Sequence, residues 1–429
     1  MESIADHLRD VPEIAVRLYL GAKGIKDQQS GWDIEFEGRV IPISSEVMIQ
    51  ATKVARVLQI RNRPSGSASD ILELRHDAED IFIEDIMGER KVPRILFVPA
   101  GDMASAYYRA MLPADTMMER GLAVSHFTSR LDIYKATRYQ ILWIQLVTAP
   151  ILLDIVRQAK SSGVRIVYDI DDRFDALPVA NPSSWVYNKE KIAEVWSMIE
   201  LADLVTTSTQ DLADHVRGRA KVVKVLPNLV SASILPKRNE PTGDVFRILW
   251  AGSPTHARDL AVASPAIARV LARHAGKVRF TLFGESLPKD LSEVFQYIDQ
   301  MRFVDFPEYS ETLARVGADV AIAPLEDTPF NASKSAVKFL EYSACGYPSL
   351  LSSVGEYKEL PPESGRVFVP DDFWEQALEE ALNMPPDDLQ RRGKLSRKWT
   401  IENRCLVRTN ARQWAETARD LLAESVPSA

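Results

Sequence analysis

The sequence predicts an α/β protein in which two parallel-sheet domains face a cleft, preceded by a smaller α+β segment. Three observations carry that expectation. From Arg94 onward, short apolar runs alternate with helical stretches, the βαβ rhythm of a parallel sheet. The rhythm breaks at PNLVSASILPKRNEPTGD (227–244), which has the Pro, Ser and Asn content of a linker, and a second alternating series follows. Residues 1–90 do not share it: helical periodicity in SEVMIQATKVARVLQI accompanies one alternating run, WDIEFEGRVIPI, whose Glu-Gly centre predicts a hairpin.

The elements follow in order. RILFVPA reads as a strand, and ASAYYRAMLPADTMMERG as a helix stopped at Gly121. After the strand LAVSHF comes the most apolar long window, YQILWIQLVTAPILLDIV (139–156). It contains two Gln, a Pro and an Asp and is short for a membrane span, so it reads as a buried strand, a turn and a helix opened by Pro150. VRIVYDI, DLVTTST and KVVKVLP complete the first series; FRILWAG, VRFTLFG, MRFVDF, ADVAIAPL, YPSLLS and GRVFVP form the second. From about Arg391 to Glu424 one or two helices follow, with no further strand. The expected divisions are 1–90, an accessory segment; 91–240 and 241–400, the two α/β domains; and 401–429, a terminal helix.

Bulk properties narrow the function classes. At 46% hydrophobic and 26% charged residues, 429 residues can bury two or three sizeable cores. A net charge of -8 disfavours non-specific nucleic-acid binding, and residues 1–90, with 17 acidic and 11 basic side chains, are no basic arm. TKVARVLQIRNR (52–63), with four basic and no acidic residues, keeps a local nucleic-acid contact open without favouring it, since an ordinary amphipathic helix has the same spacing. Two distant cysteines, Cys345 and Cys405, argue against a disulfide framework and a Cys-based zinc site, and point to a reducing compartment. The acidic start MESIADHLRD lacks the order of a signal peptide, so a soluble, cytoplasmic protein is expected.

Three constellations could carry chemistry. In FRILWAGSPTHARDL a strand ends at Trp250 and a helix is expected to open near His256. Gly252 would let a phosphate approach the backbone, with Ser253 and Thr255 in the loop and His256 and Arg258 adding positive charge. An ordinary βα turn has the same composition. In PLEDTPFNASKSAVKFLEYSACGYPSLLSS (324–353) a helix is expected from about Ser333 to Cys345, stopped by Gly346. Lys334, Lys338 and Glu341 would then share one face, two ammonium groups suited to a diphosphate and a carboxylate suited to ribose hydroxyls. Phe330, Asn331, Ser333 and Ser335 crowd the same end; a solvated face with a Lys–Glu pair is the plainer alternative. Third, VYDIDDRFD (167–175) sets four carboxylates at the end of an apolar strand, with Asp171 and Asp172 at the cleft wall, where they bind a ligand or fix Arg173 and the following loop, and Asp175 as a turn or capping residue. Ser105, Tyr107 and Arg109 in GDMASAYYR, with Tyr108, are expected to line the cleft, Arg109 on the ground that a charge at a strand-to-helix junction faces an opening. His126 reads equally as a cleft or a partly buried residue.

These pieces, in this order, resemble the group 1 (family 4) glycosyltransferases of the GT-B fold, whose two domains are Rossmann-like. The resemblance extends over residues 94–400 through SAYYRAMLPADTMMERGLAVSHF, VRIVYDIDDRFDALP, LADLVTTSTQDLADHV and KVLPN. It implies a hexosyl- or pentosyltransferase that moves a sugar, with retention and without metal or other cofactor, from a UDP- or GDP-sugar to an acceptor. The resemblance leaves that acceptor open among a saccharide, a lipid-linked sugar, a protein and a modified nucleobase, and implies that it binds on the side of the first domain, by Ser105, Tyr107, Arg109 and Asp172. Glu341 matches the second of the family's two glutamates, whereas Ser333 stands where the first is usual, and Ser253 follows Gly252 where an Arg is usual. His256, Arg258 and Lys338 then become candidates for the leaving-group charge, with Asp171 as the acceptor-side catalytic carboxylate. The last helix of this fold often crosses back to the first domain. The basic stretch LQRRGKLSRKWTIENR leaves peripheral membrane contact open beside the plainer solvated helix. Two alternatives stand: a nucleotide-sugar-binding protein without catalysis, and an Mg-dependent phosphotransferase with Asp169 as nucleophile and Asp171 as acid, although Arg173 does not fit the latter.

Overall fold

The structure is a computed structural model. It describes residues 11–19, 23–26, 31–36, 39–44, 47–48, 51–52, 55, 92–101, 104–179, 181, 184–231, 238–239, 243–284, 287–304, 306–406 and 411–423. Most of the basic stretch 52–63 and the whole RPSGSAS loop lie outside them. The chain divides into two compact units, Met1–Arg94 with Met117–Ser125, and Ile95–Thr116 with His126–Ala429.

In the first unit, a helix over Val11–Tyr19 buries Val11, Ile14 and Ala15, the i, i+3, i+4 spacing of one helical face. Strands β1 (Lys23–Lys26), β2 (Gly31–Phe36) and β3 (Arg39–Ser44) form an antiparallel sheet in that order. The predicted hairpin is β2–β3, with Phe36 opposite Arg39. β1, a four-residue KGIK, was not expected; it is too short to show alternation. The helical periodicity read in 45–60 appears as buried Val47, Met48, Ala51 and Ala55 on one helical face.

Two six-stranded sheets follow. β4 (Arg94–Val98), β5 (Val124–Phe127), β6 (Ile141–Gln145), β7 (Arg165–Ile170), β8 (Leu204–Thr207) and β9 (Val223–Val225) take the order β5-β4-β6-β7-β8-β9. β10 (Phe246–Ala251), β11 (Val278–Phe283), β12 (Ile298–Met301), β13 (Val320–Ala323), β14 (Ser349–Ser352) and β15 (Val367–Val369) take the order β12-β11-β10-β13-β14-β15, every pair parallel. Each sheet has its own apolar core, one around Ile144, Tyr168 and Val205, the other around Trp250, Phe280 and Ile322. Two separate cores are the physical content of two domains. The window 139–156 is β6, a turn, and a helix from Pro150 to Ser161, as its composition required.

Three expectations are corrected. The third strand of the second sheet is Ile298–Met301, not MRFVDF: pairing with β11 ends where the Gly284 amide takes the Met301 carbonyl, and Phe303 is exposed. Described parts of the expected linker are packed, since Val230 bridges to Cys405 and the Arg238 side chain is buried. The helix of Ala104–Glu119 is not uniform, because Tyr107–Met111 widens into a π turn, a feature common where side chains are aimed at a site.

The chain ends in helices Pro386–Asn403 and Ala411–Ala423. On the last, Trp414 packs 5.0 Å from the Trp143 ring and 6.4 Å from that of Phe97, residues of β6 and β4. This contact buries the final helix on the first sheet.

Candidate active site

Strand order reverses at β10, which has β11 on one side and β13 on the other, so a crevice opens beyond their carboxyl ends. The chain leaves β10 through Gly252. The helix Val337–Cys345 brings Lys338 to this point, where its ammonium donates to the Ala251 carbonyl and lies 5.2 Å from the Trp250 ring centroid. A Cβ on Gly252 would stand 2.7 Å from Lys338 Nζ and 2.7 Å from the Trp250 ring, so no larger residue fits without moving both. Burial pulls Lys338 down to about 8, with Lys334 contributing.

Lys334 is not on that helix. The helix begins at Val337, after a short helix Pro329–Ala332, and Ser333, Lys334 and Ser335 form the turn between them. The expected single face carrying Lys334, Lys338 and Glu341 is therefore corrected: only the last two share the helix. Lys334 Nζ lies 2.8 Å from Asp172 Oδ1 and 4.5 Å from the Phe330 ring centroid. Burial lowers the Lys334 ammonium, but the charge and hydrogen bond of Asp172 outweigh it and raise it. Ser333 has a buried hydroxyl donating to the Phe330 carbonyl, so its hydrogen is committed within the turn. Ser335 Oγ accepts from Asn228 Nδ2 at 2.8 Å.

Glu341 is buried with both oxygens engaged, accepting from Tyr108 at 2.8 Å and Tyr309 at 2.9 Å. Burial raises its carboxyl; Lys338 and the two tyrosines offset part of this.

The helix expected near His256 is instead a 3-10 turn, Pro254–His256, and a five-residue helix, Ala257–Ala261, too short to offer much of a dipole. His256 Nδ1 lies 2.8 Å from Asp259 Oδ2. The imidazole falls to about 4, through burial and then the Lys338 charge, so it is neutral near pH 7 and cannot carry leaving-group charge. Asp259 is held below its ordinary value despite burial by His256, the Glu326 amide and Lys334. Asn331 Nδ2 supports it at 2.6 Å, and that is the work of Asn331. Asp259 was missed in the sequence; its His-x-x-Asp spacing, one turn apart, was the available signal. Arg258 is exposed and paired with Glu326 at 2.5 Å, while the Ser253 and Thr255 hydroxyls lie 2.7 Å apart. Thr255, Arg258, Asp259 and Phe330 line an open surface pocket.

The acidic run separates into four environments. Asp169 is buried in a bidentate pair with Arg109, at 2.9 and 2.6 Å, and accepts from Thr206 at 2.6 Å. Arg109 is fully buried, also bonding the Leu226 carbonyl and Asn228 Oδ1 and packing 5.1 Å from the Trp414 ring centroid. The expectation that Arg109 faces an opening is thus corrected, because its side chain is fully buried and every guanidinium nitrogen is bonded inside the fold. Asp171 accepts from Gln145 Nε2 at 3.2 Å; burial, then Asp172 and Asp169, push its carboxyl up to about 7. Asp172 holds Lys334, and Asp175 pairs with Arg173 and His215. Ser105 and Tyr107 are half-buried on the π-containing helix, and His126 meets Tyr139 at 2.9 Å. Among the described residues no group of three His, Cys, Asp or Glu side chains is arranged to hold a metal ion. Among them, too, no helix is long and apolar enough to cross a membrane.

Residues 245–384 match the family described as glycosyl transferases group 1. No curated protein matches the sequence. Among solved structures, the fold is similar to a sucrose-phosphate synthase from Thermosynechococcus elongatus, with a TM-score of 0.57 and 14% identity over 78% of this chain and 100% of that one. It is also similar to Anabaena HepE in complex with UDP, with a TM-score of 0.53 and 12% identity over 76% and 100% of the two chains. HepE in complex with UDP and glucose gives 0.54 and 14%, over 78% and 100%. Residues 245–384 are thus similar to the group 1 glycosyl transferases, within a fold of two parallel-sheet domains that is the GT-B fold of these solved structures.

Proposed function

We propose that the protein transfers a sugar from a UDP- or GDP-sugar to an acceptor, with retention and without a metal. The observation that supports this most is the meeting of Lys338 with the backbone at Ala251 and Gly252, at the carboxyl end of β10. An ammonium fixed there, with Lys334 nearby, is placed for the charge that develops on a departing diphosphate. In the transfer, the bond from the anomeric carbon to the diphosphate oxygen breaks as the acceptor oxygen bonds on the same face. Asp171, when ionised, takes the acceptor's proton. Lys334 exchanges Asp172 for phosphate, which frees Asp172 for an acceptor hydroxyl. Glu341 serves the ribose, and Ser253 and Thr255 the phosphate loop. HepE was crystallised with UDP, which makes UDP the first nucleotide to test.

The buried hydroxyl of Ser333, where the family usually has a glutamate, supports a second reading: nucleotide-sugar binding without catalysis. One assay separates the two. UDP-glucose, UDP-N-acetylglucosamine and GDP-mannose are incubated with the protein and an acceptor panel, with and without EDTA, while nucleotide release and the product's anomeric configuration are followed. EDTA-resistant release with a retained configuration is expected. Binding without release supports the second reading, and neither binding nor release overturns both.

A further inference from the structure

The turn that carries Lys334 is held from several directions, and two residues outside the site do much of the holding. Glu356 Oε2 accepts from the Ala336 amide at 2.8 Å, and the Glu356 amide donates to the Lys334 carbonyl at 3.0 Å. The approach is close because residue 355 is glycine: a Cβ there would stand 2.7 Å from the Asn331 carbonyl oxygen and 2.8 Å from that of Lys334, and its φ is +58°. The other oxygen, Glu356 Oε1, accepts from Arg404 Nη2 at 2.7 Å. Arg404 belongs to the segment after the Pro386–Asn403 helix, which pairs with the interdomain linker. The Val230 amide donates to the Arg404 carbonyl at 2.9 Å, and the Leu406 amide to the Val230 carbonyl at 3.1 Å. The same linker supplies Asn228 to Ser335, and Asn228 is in turn held by Arg109.

We propose that Glu356 and Arg404 are positioning residues for the donor site, a clamp through which the linker and the returning C-terminal segment set the place of Lys334 and Ser335. The inference rests on the donor reading above. Neither residue is among those assigned to the donor above. Both act through the Ala336 amide and the Lys334 carbonyl. A buried carboxylate bonded to one guanidinium and one backbone amide has a fixed orientation, so the turn is fixed with it. A displacement of the segment 404–406 relative to the second sheet is then transmitted to the ammonium of Lys334.

The test uses the full chain as wild type, R404M, R404K and E356Q. Hydrogen exchange is read on a peptide spanning residues 331–341, and affinity by calorimetric titration of UDP and GDP. In R404M, exchange at the Ala336 amide quickens by about tenfold, and the wild-type nucleotide binds about tenfold more weakly, with little change in exchange elsewhere. R404K, which keeps a cation in reach of Glu356, falls between R404M and wild type, and so does E356Q, which keeps an acceptor for the amide. Unchanged exchange in both R404M and E356Q overturns the clamp. Faster exchange with wild-type affinity overturns its positioning role. Should wild type bind neither UDP nor GDP, the donor reading fails, and the exchange measurement alone still decides the clamp.

Discussion

Tyr108 donates its hydroxyl hydrogen to Glu341 Oε1 at 2.8 Å, joining the π turn of the first α/β domain to the helix that bears Lys338. With Tyr309 on the other oxygen, the buried carboxylate has a neutral donor from each domain. Removing one leaves a buried acceptor short of a partner, which costs about 1–3 kcal/mol. Y108F is expected to lose that much in urea unfolding at pH 7 with the urea dependence unchanged; a loss within error of zero would remove this contact from the account.

Lys338 titrates near 8, and only its protonated form attracts a diphosphate. Nucleotide affinity is expected to hold below pH 8 and to weaken by about tenfold per unit above it. K338R, whose guanidinium stays charged, should bind with a flat profile between pH 7 and 9.5, as measured by titration calorimetry. A wild-type profile equally flat would assign the phosphate to other groups.

His256 is neutral through the physiological range, its pKa being about 4. In a proton NMR titration its ring resonance, assigned by loss in H256Q, should not move between pH 5.5 and 8. Titration near the ordinary histidine value would restore it as a candidate cation for the leaving group.

Asp171 has the opposite displacement, a carboxyl raised from its ordinary value to about 7. The folded protein holds this proton more tightly than the unfolded chain. The group therefore costs no stability below the unfolded value near 4; the cost grows as pH rises to about 7 and is constant above. D171N avoids that cost. Its stability relative to wild type should rise by up to about 1.4 kcal/mol per pH unit between pH 5 and 7, then level off. A difference independent of pH across that window would contradict the raised carboxyl.

The fold was legible because parallel strands buried on both faces read as short apolar runs, and because Pro150, Gly252 and Gly346 mark starts and stops that depend on one residue. The failures also have local causes. The turn at Ser333–Ala336 continues helical spacing in sequence, and only Glu356, twenty residues away, takes the Ala336 amide and fixes the break. Met301–Val304 looked like strand because Phe303 and Val304 are apolar, yet pairing is decided by β11, which ends at Phe283. Arg109 looked accessible at a strand-to-helix junction; its partner Asp169 lies 60 positions on, in a run that read as one acidic cluster. Nothing local separates a core salt bridge from a ligand-facing carboxylate in VYDIDD, where neighbours from β6, β8 and the second domain assign Asp171, Asp169 and Asp172. Glu356 went unread for the same reason.

The central claim is that a nucleotide diphosphate binds beyond β10 against Lys338, with Glu341 beneath it. Titration of UDP and GDP in the presence of EDTA into wild type, K338A and E341A tests this most directly. One site per chain is expected for one of the nucleotides, with affinity lowered at least about tenfold by K338A through loss of a charge-assisted contact, and lowered also by E341A. Wild-type affinity in both variants would contradict the account.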